Sequence, residues 1–369
     1  MIQLLISFTT SSIALLFGHV SLWFILIKLF PVLENFQVIL ALVLLFLFFS
    51  VIISSLLIHK KDGPWSRSYY FLSSFWVGII VNMFLMGLII IILKELAAAF
   101  AFSLPLSLIK IIFFAGTLLL SALGVYQAFV PKVFSYEVAI KDLPESWHNK
   151  TVVQISDVHL GPIHRQKFFN RLLKKIQQLN PEAVFITGDL FDGMKSEFSW
   201  VNNFFVELKA PKGIYYSFGN HDLYLGFNRV VNILKDSPIT ILADKMVVVD
   251  GLQIIGINFS FDKNFDLQAA ILKQVGYDRQ LPSILLFHEP RHVSLAKEAE
   301  IDLQLSGHTH NGQLFPFNYI VKLVHGGYGH GLFKDQDFSL IVNRGVGTWG
   351  PPMRTSGRGE ITKIILKKK

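Results

Sequence analysis

Hydrophobic positions follow two regimes along this chain. In the first, long uncharged blocks succeed one another: Phe36–Ile58 and Tyr69–Leu93 contain no Lys, Arg, Asp or Glu, and Leu106–Val130 contains only Lys110 near its start. A hydrocarbon core about 30 Å thick takes roughly 20 apolar residues in a helix. Membrane spans are therefore predicted over 36–58, 69–93 and 106–130, with Lys110 snorkelling toward the head groups. The block 4–27 carries His19 and several Ser and Thr, and it lacks the basic lead of a secretory signal. It reads as a fourth, uncleaved helix.

Past residue 131 the pattern breaks into short apolar runs bounded by turn residues. Thr151–Ser156, Ala183–Thr187, Gly213–Phe218, Leu252–Ile257, Ser283–Phe287 and Asp302–Leu305 have the length and composition of buried strands. Phe338–Asn343 and Glu360–Leu366 extend the series. Gln166–Leu179, Glu197–Leu208 and Arg291–Ala299 read as amphipathic helices. Strands alternating with helices predict an α/β domain over 150–369, joined to a four-helix transmembrane region (1–131) through a linker and first strand at 132–149.

Composition sharpens this division. The chain is 52% hydrophobic and 16% charged, against about 25% charged in a typical soluble protein. Only six of the 34 Lys and Arg, and three of the 26 acids, lie in residues 1–131. The remainder of the chain has an ordinary soluble balance. The net charge of +8 is diffuse, and no basic stripe with interleaved aromatics is present, so no nucleic-acid partner is expected. The absence of Cys excludes disulfides, thiolate metal ligands and a cysteine nucleophile. The densest basic loop of the apolar half, His59–Arg67, belongs in the cytoplasm by the positive-inside rule. Helix counting then places the N-terminus and everything after Val130 on that side of the plasma membrane. His19 and Asn82 are expected to hydrogen-bond between helices rather than to line a transport pathway.

Candidate chemistry sits just past the predicted strands. In order, the chain reads Asp157-Val158-His159, Gly188-Asp189-Leu190-Phe191-Asp192, Gly219-Asn220-His221-Asp222, His288, and Gly307-His308-Thr309-His310. Each piece alone is a common turn or cap. Five in succession, each directly after an apolar strand, converge where α/β sheets assemble their sites. Imidazole with carboxylate suits divalent manganese, iron or zinc. His164, His292, His325 and His330 fall outside these blocks and read as surface or loop histidines.

This series resembles the calcineurin-like metallophosphoesterases, whose blocks D-x-H, G-D-x-x-D, G-N-H-[DE], H and G-H-x-H all occur here in order. The longer text Gly307-His308-Thr309-His310-Asn311-Gly312-Gln313 and Asn343-Arg344-Gly345-Val346-Gly347-Thr348 is similar to the membrane-associated branch of that family. Asn311 and Asn343 replace a usual Gly and Ser. The resemblance implies a two-sheet β-sandwich flanked by helices and two divalent ions, manganese foremost. One ion would be held by Asp157, His159 and His310, the other by Asn220, His288 and His308, with Asp189 bridging. A shared carboxylate would offset repulsion between neighbouring cations. His221 would serve the leaving group, oriented by the Asp192 carboxylate, while Arg344 and Arg354 are candidates for binding substrate phosphate.

The expectation is a membrane-tethered, dinuclear phosphoesterase. It would cleave a phosphodiester or pyrophosphate bond of a lipid or glycolipid precursor, much as a UDP-diacylglucosamine pyrophosphatase does. The bilayer and a phosphorylated, lipid-like substrate would be its partners. The alternatives are a soluble nucleotide or phosphoprotein substrate, or a noncatalytic metal-binding module.

Overall fold

The computed structural model describes residues 2–262 and 264–369. Four long helices come first: α1 (Ile2–Leu29), α2 (Gln37–Lys60), α3 (Pro64–Ala99) and α4 (Leu106–Phe129). All four are long and apolar enough to cross a membrane. Side chains such as Phe46 and Leu118, 70% and 71% exposed, point outward as lipid-facing residues do. α3 is longer than its predicted span, because Pro64 at its first turn starts it early and the helix continues past Lys94 and Glu95.

Helix contacts within this unit use small residues and polar pairs. Gly87 lies against Ile25 and Gly116 against Met86, so a Cβ at either glycine would collide with its neighbour. His19 Nδ1 donates to the Leu15 carbonyl at 2.8 Å, leaving Nε2 to accept from Trp76 Nε1 at 3.1 Å. Asn82 donates to Ser121 Oγ at 3.0 Å. Both intramembrane polar groups are thus engaged within the helical unit. That compact unit also includes Gly350–Thr355. Met353 is fully buried there, with its sulfur 3.2 Å from Asn82 Nδ2.

The second unit, Gln127–Trp349 with Ser356–Lys369, is α/β. Its elements are β1 (Lys132–Ile140), β2 (Thr151–Ile155), α5 (Gln166–Gln177), β3 (Ala183–Thr187), α6 (Val201–Glu207), β4 (Ile214–Ser217), α7 (Asn220–Leu225), α8 (Phe227–Leu234) and β5 (Ile239–Ile241). They continue as β6 (Lys245–Val249), β7 (Leu252–Ile257), α9 (Phe265–Gln274), β8 (Ser283–Phe287), α10 (Val293–Glu298), β9 (Leu303–Ser306), α11 (Phe317–Val324), β10 (Gly331–Asp335), β11 (Phe338–Val342) and β12 (Glu360–Lys368). The strands form two six-stranded sheets, ordered β1-β12-β2-β3-β4-β5 and β10-β11-β9-β8-β7-β6. β2 to β5 run parallel, as do β7, β8, β9 and β11.

The strands read as continuous apolar runs because both faces of each sheet are covered. In β2, Val152 faces the inter-sheet core with Phe185, Ile254, Ile284 and Leu305. Val153 and Ile155 face outward against Phe169 and Leu172 of α5 and Phe205 of α6. On the outer face of the other sheet, Leu285 and Phe287 pack with Leu272 of α9 and Val293 of α10. The result is a sandwich of two sheets between layers of helix.

Phe185 is fully buried between the sheets and stacks on Tyr215 with centroids 5.9 Å apart. Truncation there leaves a cavity that neither sheet can close. Phe185→Ala should cost about 3–5 kcal/mol, read as a lowered unfolding midpoint of the full chain in detergent. An unchanged midpoint would contradict this packing.

Candidate metal centre

The candidate ligands leave the carboxyl ends of strands from both sheets. Asp157 and His159 follow β2, Asp189 follows β3, Asn220 opens α7 after β4, His288 follows β8, and His308 and His310 follow β9. β2, β3 and β4 are neighbours in one sheet, as β8 and β9 are in the other. Packing the sheets face to face therefore brings two sets of strand ends to one place.

The backbone turns sharply to do this. Asp157, His159, Asp189, His308 and His310 all have φ between 48° and 70°, a left-handed conformation uncommon outside glycine. Such strain persists only where the surroundings over-determine it, and it collects at functional sites. Two glycines permit the close approach: a Cβ at Gly219 would overlap the Asp189 carboxylate, and one at Gly307 would overlap Ser156 and Asp157.

The side chains converge. His159 Nε2 lies 3.1 Å from His310 Nε2, and His310 Nε2 lies 3.4 Å from Asp157 Oδ1. His288 Nε2 is 3.1 Å from Asp189 Oδ2 and 3.3 Å from His308 Nδ1. Asp157, His159 and His310 form one group able to hold a metal, and Asp189, His288 and His308 another. His159, Asp189 and His221 form a third, which overlaps both. Ligand atoms about 2.1 Å from a shared ion stand about 3.0–3.4 Å apart at octahedral to tetrahedral angles, the spacing seen here. Asn220 Oδ1 is buried without a hydrogen-bond partner, a state that costs about 1–3 kcal/mol unless something covers the oxygen. The donor set and this orphaned oxygen fit divalent cations.

Outer contacts aim these groups. His288 Nδ1 donates to the Thr187 carbonyl at 2.8 Å, which presents Nε2 to Asp189. Asp157 accepts from the His308 amide at 3.0 Å. Asp222, the last residue of the third block, is fully buried and ties the loops together. Its carboxylate accepts from the amides of Asp189 (2.6 Å), Gly219 (2.9 Å) and Phe191 (3.0 Å).

Burial divides the charge unevenly. It pushes Asp157 up to about 6, and burial with the Asp189 charge pushes Asp222 up to about 7 despite its three amide donors. Burial also opposes charge on Asp189, but His288, His221 and His159 together hold that carboxyl well below its ordinary value. His288 experiences the converse: burial opposes its charge, and Asp189, Asp157 and the Thr187 carbonyl override it, raising the ring to about 10. His159 and His308 are lowered far below the usual imidazole value, first by burial, and so present neutral rings to an ion.

Several expectations from the sequence are corrected. His221 Nδ1 faces the main-chain carbonyl of Asp192 at 2.9 Å, so the backbone, not the carboxylate, supplies the orienting bond. Asp192 Oδ1 instead accepts from the Met194 amide at 2.9 Å, closing a local turn. Arg344, a candidate for substrate phosphate, pairs through Nε with the buried Glu360 at 3.0 Å, and its guanidinium lies 4.6 Å from the centroid of the Phe134 ring. Arg354 is fully buried and belongs to the helical unit. His164, read as a surface or loop residue, lies in a loop but is fully buried, with Nε2 accepting from the Thr348 amide at 2.9 Å.

Other neighbours escaped the sequence reading. The His325 ring lies 5.8 Å from His308, while Tyr224 and Trp349 lie 5.2 and 6.0 Å from His221. Trp349 is held by a pair of hydrogen bonds to Gln313: its amide donates to Oε1 at 2.9 Å, and Gln313 Nε2 donates to its carbonyl at 3.0 Å. Gln313 lies in the final block, and that was the one available signal.

Residues 150–312 match the family model described as calcineurin-like phosphoesterase. An uncharacterized metallophosphoesterase of Campylobacter jejuni is 32% identical over 275 residues, covering 71% of this chain and 71% of that protein. A transmembrane protein with metallophosphoesterase domain from Danio rerio is 32% identical over 260 residues, covering 64% of this chain and 57% of the relative. The UDP-2,3-diacylglucosamine pyrophosphatase of Chlamydia muridarum is 26% identical over 263 residues, covering 55% of this chain and 79% of that enzyme. The chain thus spans little more than half the length of the Danio rerio relative.

Two outcomes follow from this geometry. Asp222→Asn sets an amide donor against at least one of these three amides, and metal affinity should fall about 10–100-fold, measured by equilibrium dialysis with elemental analysis; an unchanged affinity would contradict the clamp. Ion binding must also displace the protons held on Asp157 and His288. Affinity should therefore strengthen as pH rises through 6, and equal values at pH 5.5 and 7.5 in a chelator competition would contradict this.

Proposed function

The chain belongs to the calcineurin-like metallophosphoesterases, and from that premise we propose that it is a dinuclear hydrolase acting on a phosphodiester or pyrophosphate bond of a lipid-like substrate. The family is metal-dependent, and its members are phosphoric ester hydrolases. The observation that carries the reading is the meeting of Asp157, His159 and His310 beside Asp189, His288 and His308 within hydrogen-bonding distances.

Asp157, His159 and His310 would hold one ion, and Asn220, His288 and His308 the other, with Asp189 between them. Bound divalent cations, manganese foremost, would supply Lewis acidity toward the phosphoryl oxygens and toward the attacking water. The remaining work falls to the chain. The His221 amide donates to Asp189 Oδ1 at 2.8 Å, so the residue that sets the bridging carboxylate also carries the imidazole next to it. With Nδ1 donating to the Asp192 carbonyl, a proton passed to the leaving oxygen would depart from Nε2, and the ring would remain as its neutral Nδ1–H tautomer. Asp222 keeps the β3 and β4 loops in register through its three amide bonds. Tyr224 and Trp349 would flank the group that leaves beside His221.

Two things support a lipid-like substrate: four helices able to span a bilayer and the likeness to a pyrophosphatase whose name specifies a diacylated nucleotide sugar. The basic loop His59–Arg67 supports a cytoplasmic placement of the second unit at the plasma membrane.

Asp189→Asn should reduce turnover to background while the chain keeps its melting midpoint in detergent. His221→Ala should lower kcat by about 10²–10⁴-fold on alkyl phosphodiesters and far less on p-nitrophenyl esters, whose leaving group needs no proton. Equal losses on both would remove His221 from that role. Assays with added manganese, on vesicle-presented lipid diphosphates and soluble nucleotides, test the substrate. Turnover of the soluble nucleotides alone would overturn the lipid reading.

A further inference from the structure

The second unit carries an anomaly unrelated to the metal ligands. Among its described residues, fourteen large hydrophobic side chains are exposed, and six of them fall between 315 and 324: Phe315, Phe317, Tyr319, Ile320, Leu323 and Val324. Leu323 is 83% and Val324 72% exposed. None of the side chains of α11 is buried. Residues 319 and 323, and 320 and 324, are each one helical turn apart, so these four share one face. A soluble surface rarely gathers apolar side chains in this way.

The helix is anchored on the metal-ligand loop. A Cβ at Gly312 would collide with the backbone of Phe317 and Asn318. Past the other end of α11, Thr309 Oγ1 donates to the Gly329 carbonyl at 2.6 Å, and His325 stands 5.8 Å from His308. The apolar face is therefore a fixed feature of the site's border.

We infer that α11 is an interfacial helix whose exposed face enters a lipid leaflet and holds the rim of the metal centre at the head groups. Charge identifies the occupant. No Asp or Glu occurs between Asp302 and Asp335, a stretch in which the only fixed charges are Lys322 and Lys334. An apolar face with a Tyr and isolated lysines, and without acids, suits an anionic bilayer surface. The chain passes from α4 (ending at Phe129) into β1 (beginning at Lys132), so spanning helices tether this unit covalently to the bilayer and a short helix needs little intrinsic affinity.

The absence of cysteine permits a direct test. Leu323→Cys and Ile320→Cys each create one thiol at an exposed position, for attachment of a nitroxide. Full-length protein would be reconstituted into vesicles of phosphatidylcholine and phosphatidylglycerol in equal parts. Power saturation then compares collisions with oxygen, which partitions into lipid, and with a water-soluble nickel chelate. At 323 and 320 the oxygen effect should exceed the nickel effect. At Val206→Cys, on α6 and 66% exposed, the order should reverse. A nickel effect equal to or larger than the oxygen effect at 323 and 320 would overturn the inference. Weak effects of both reagents would overturn it too, in favour of a protein surface or a second copy covering α11. The readout needs no turnover, so it stands or falls separately from the substrate reading.

Discussion

The second unit is organised around a concentration of buried ionisable groups that cannot satisfy one another alone. Asp157, Asp189 and Asp222 lie within the fold beside five imidazoles, nearly all withdrawn from water. Burying carboxylates is costly unless they are paired or coordinate a cation. Three are tolerated because their states differ: Asp189 keeps its charge, while burial raises Asp157 and Asp222 to about 6 and about 7, so that they take up protons far more readily. Asp222 spends its acceptor capacity on three amides, which leaves Asp189 and Asp157 facing the centre. The sandwich, the left-handed ligand residues and the glycine contacts all serve to hold that unfavourable cluster together.

That constraint also separates residues that do chemistry from residues that maintain shape. Arg344 looked available for phosphate, but its guanidinium neutralises Glu360, a carboxylate buried between β1 and β2 on β12. His164 is a loop residue, but a buried one: it binds the Thr348 amide and packs on Phe168 at 4.3 Å. His164 thereby holds the turn that carries Trp349. The proposed metal ligands, by contrast, gather with His221, Tyr224 and Trp349 at the strand ends.

A membrane setting gives these features a common logic. The first unit supplies four helices whose outward residues suit lipid, and the second places a reactive centre next to an exposed apolar helix. A phosphate ester with long acyl chains is hard to extract from a bilayer, since each buried methylene contributes about 0.8 kcal/mol. An enzyme that acts at the head-group level avoids that extraction.

Much of this was legible from the chain alone, for physical reasons. Uninterrupted apolar blocks of span length have one stable home, so the second to fourth helices could be read directly, while His19 and several Ser and Thr made the first a weaker signal. Strands buried on both faces are short apolar runs, and β3, β7 and β8 appeared with their observed limits. The candidate ligand blocks were legible as blocks because metal chemistry admits few residue types, and the structure brings their side chains together at the strand ends. What the chain did not reveal depends on distance in space. β5, β6 and β10 are short edge or near-edge strands whose identity comes from partners. The α11 pattern has a helical period, but only the folded structure shows that its apolar side points outward. Whether Arg344 meets a phosphate or Glu360, and whether His221 leans on a carboxylate or a carbonyl, is a matter of an ångström or two. Residue type and spacing determine which chemistry is possible; packing of the two sheets decides which atoms are near enough to perform it.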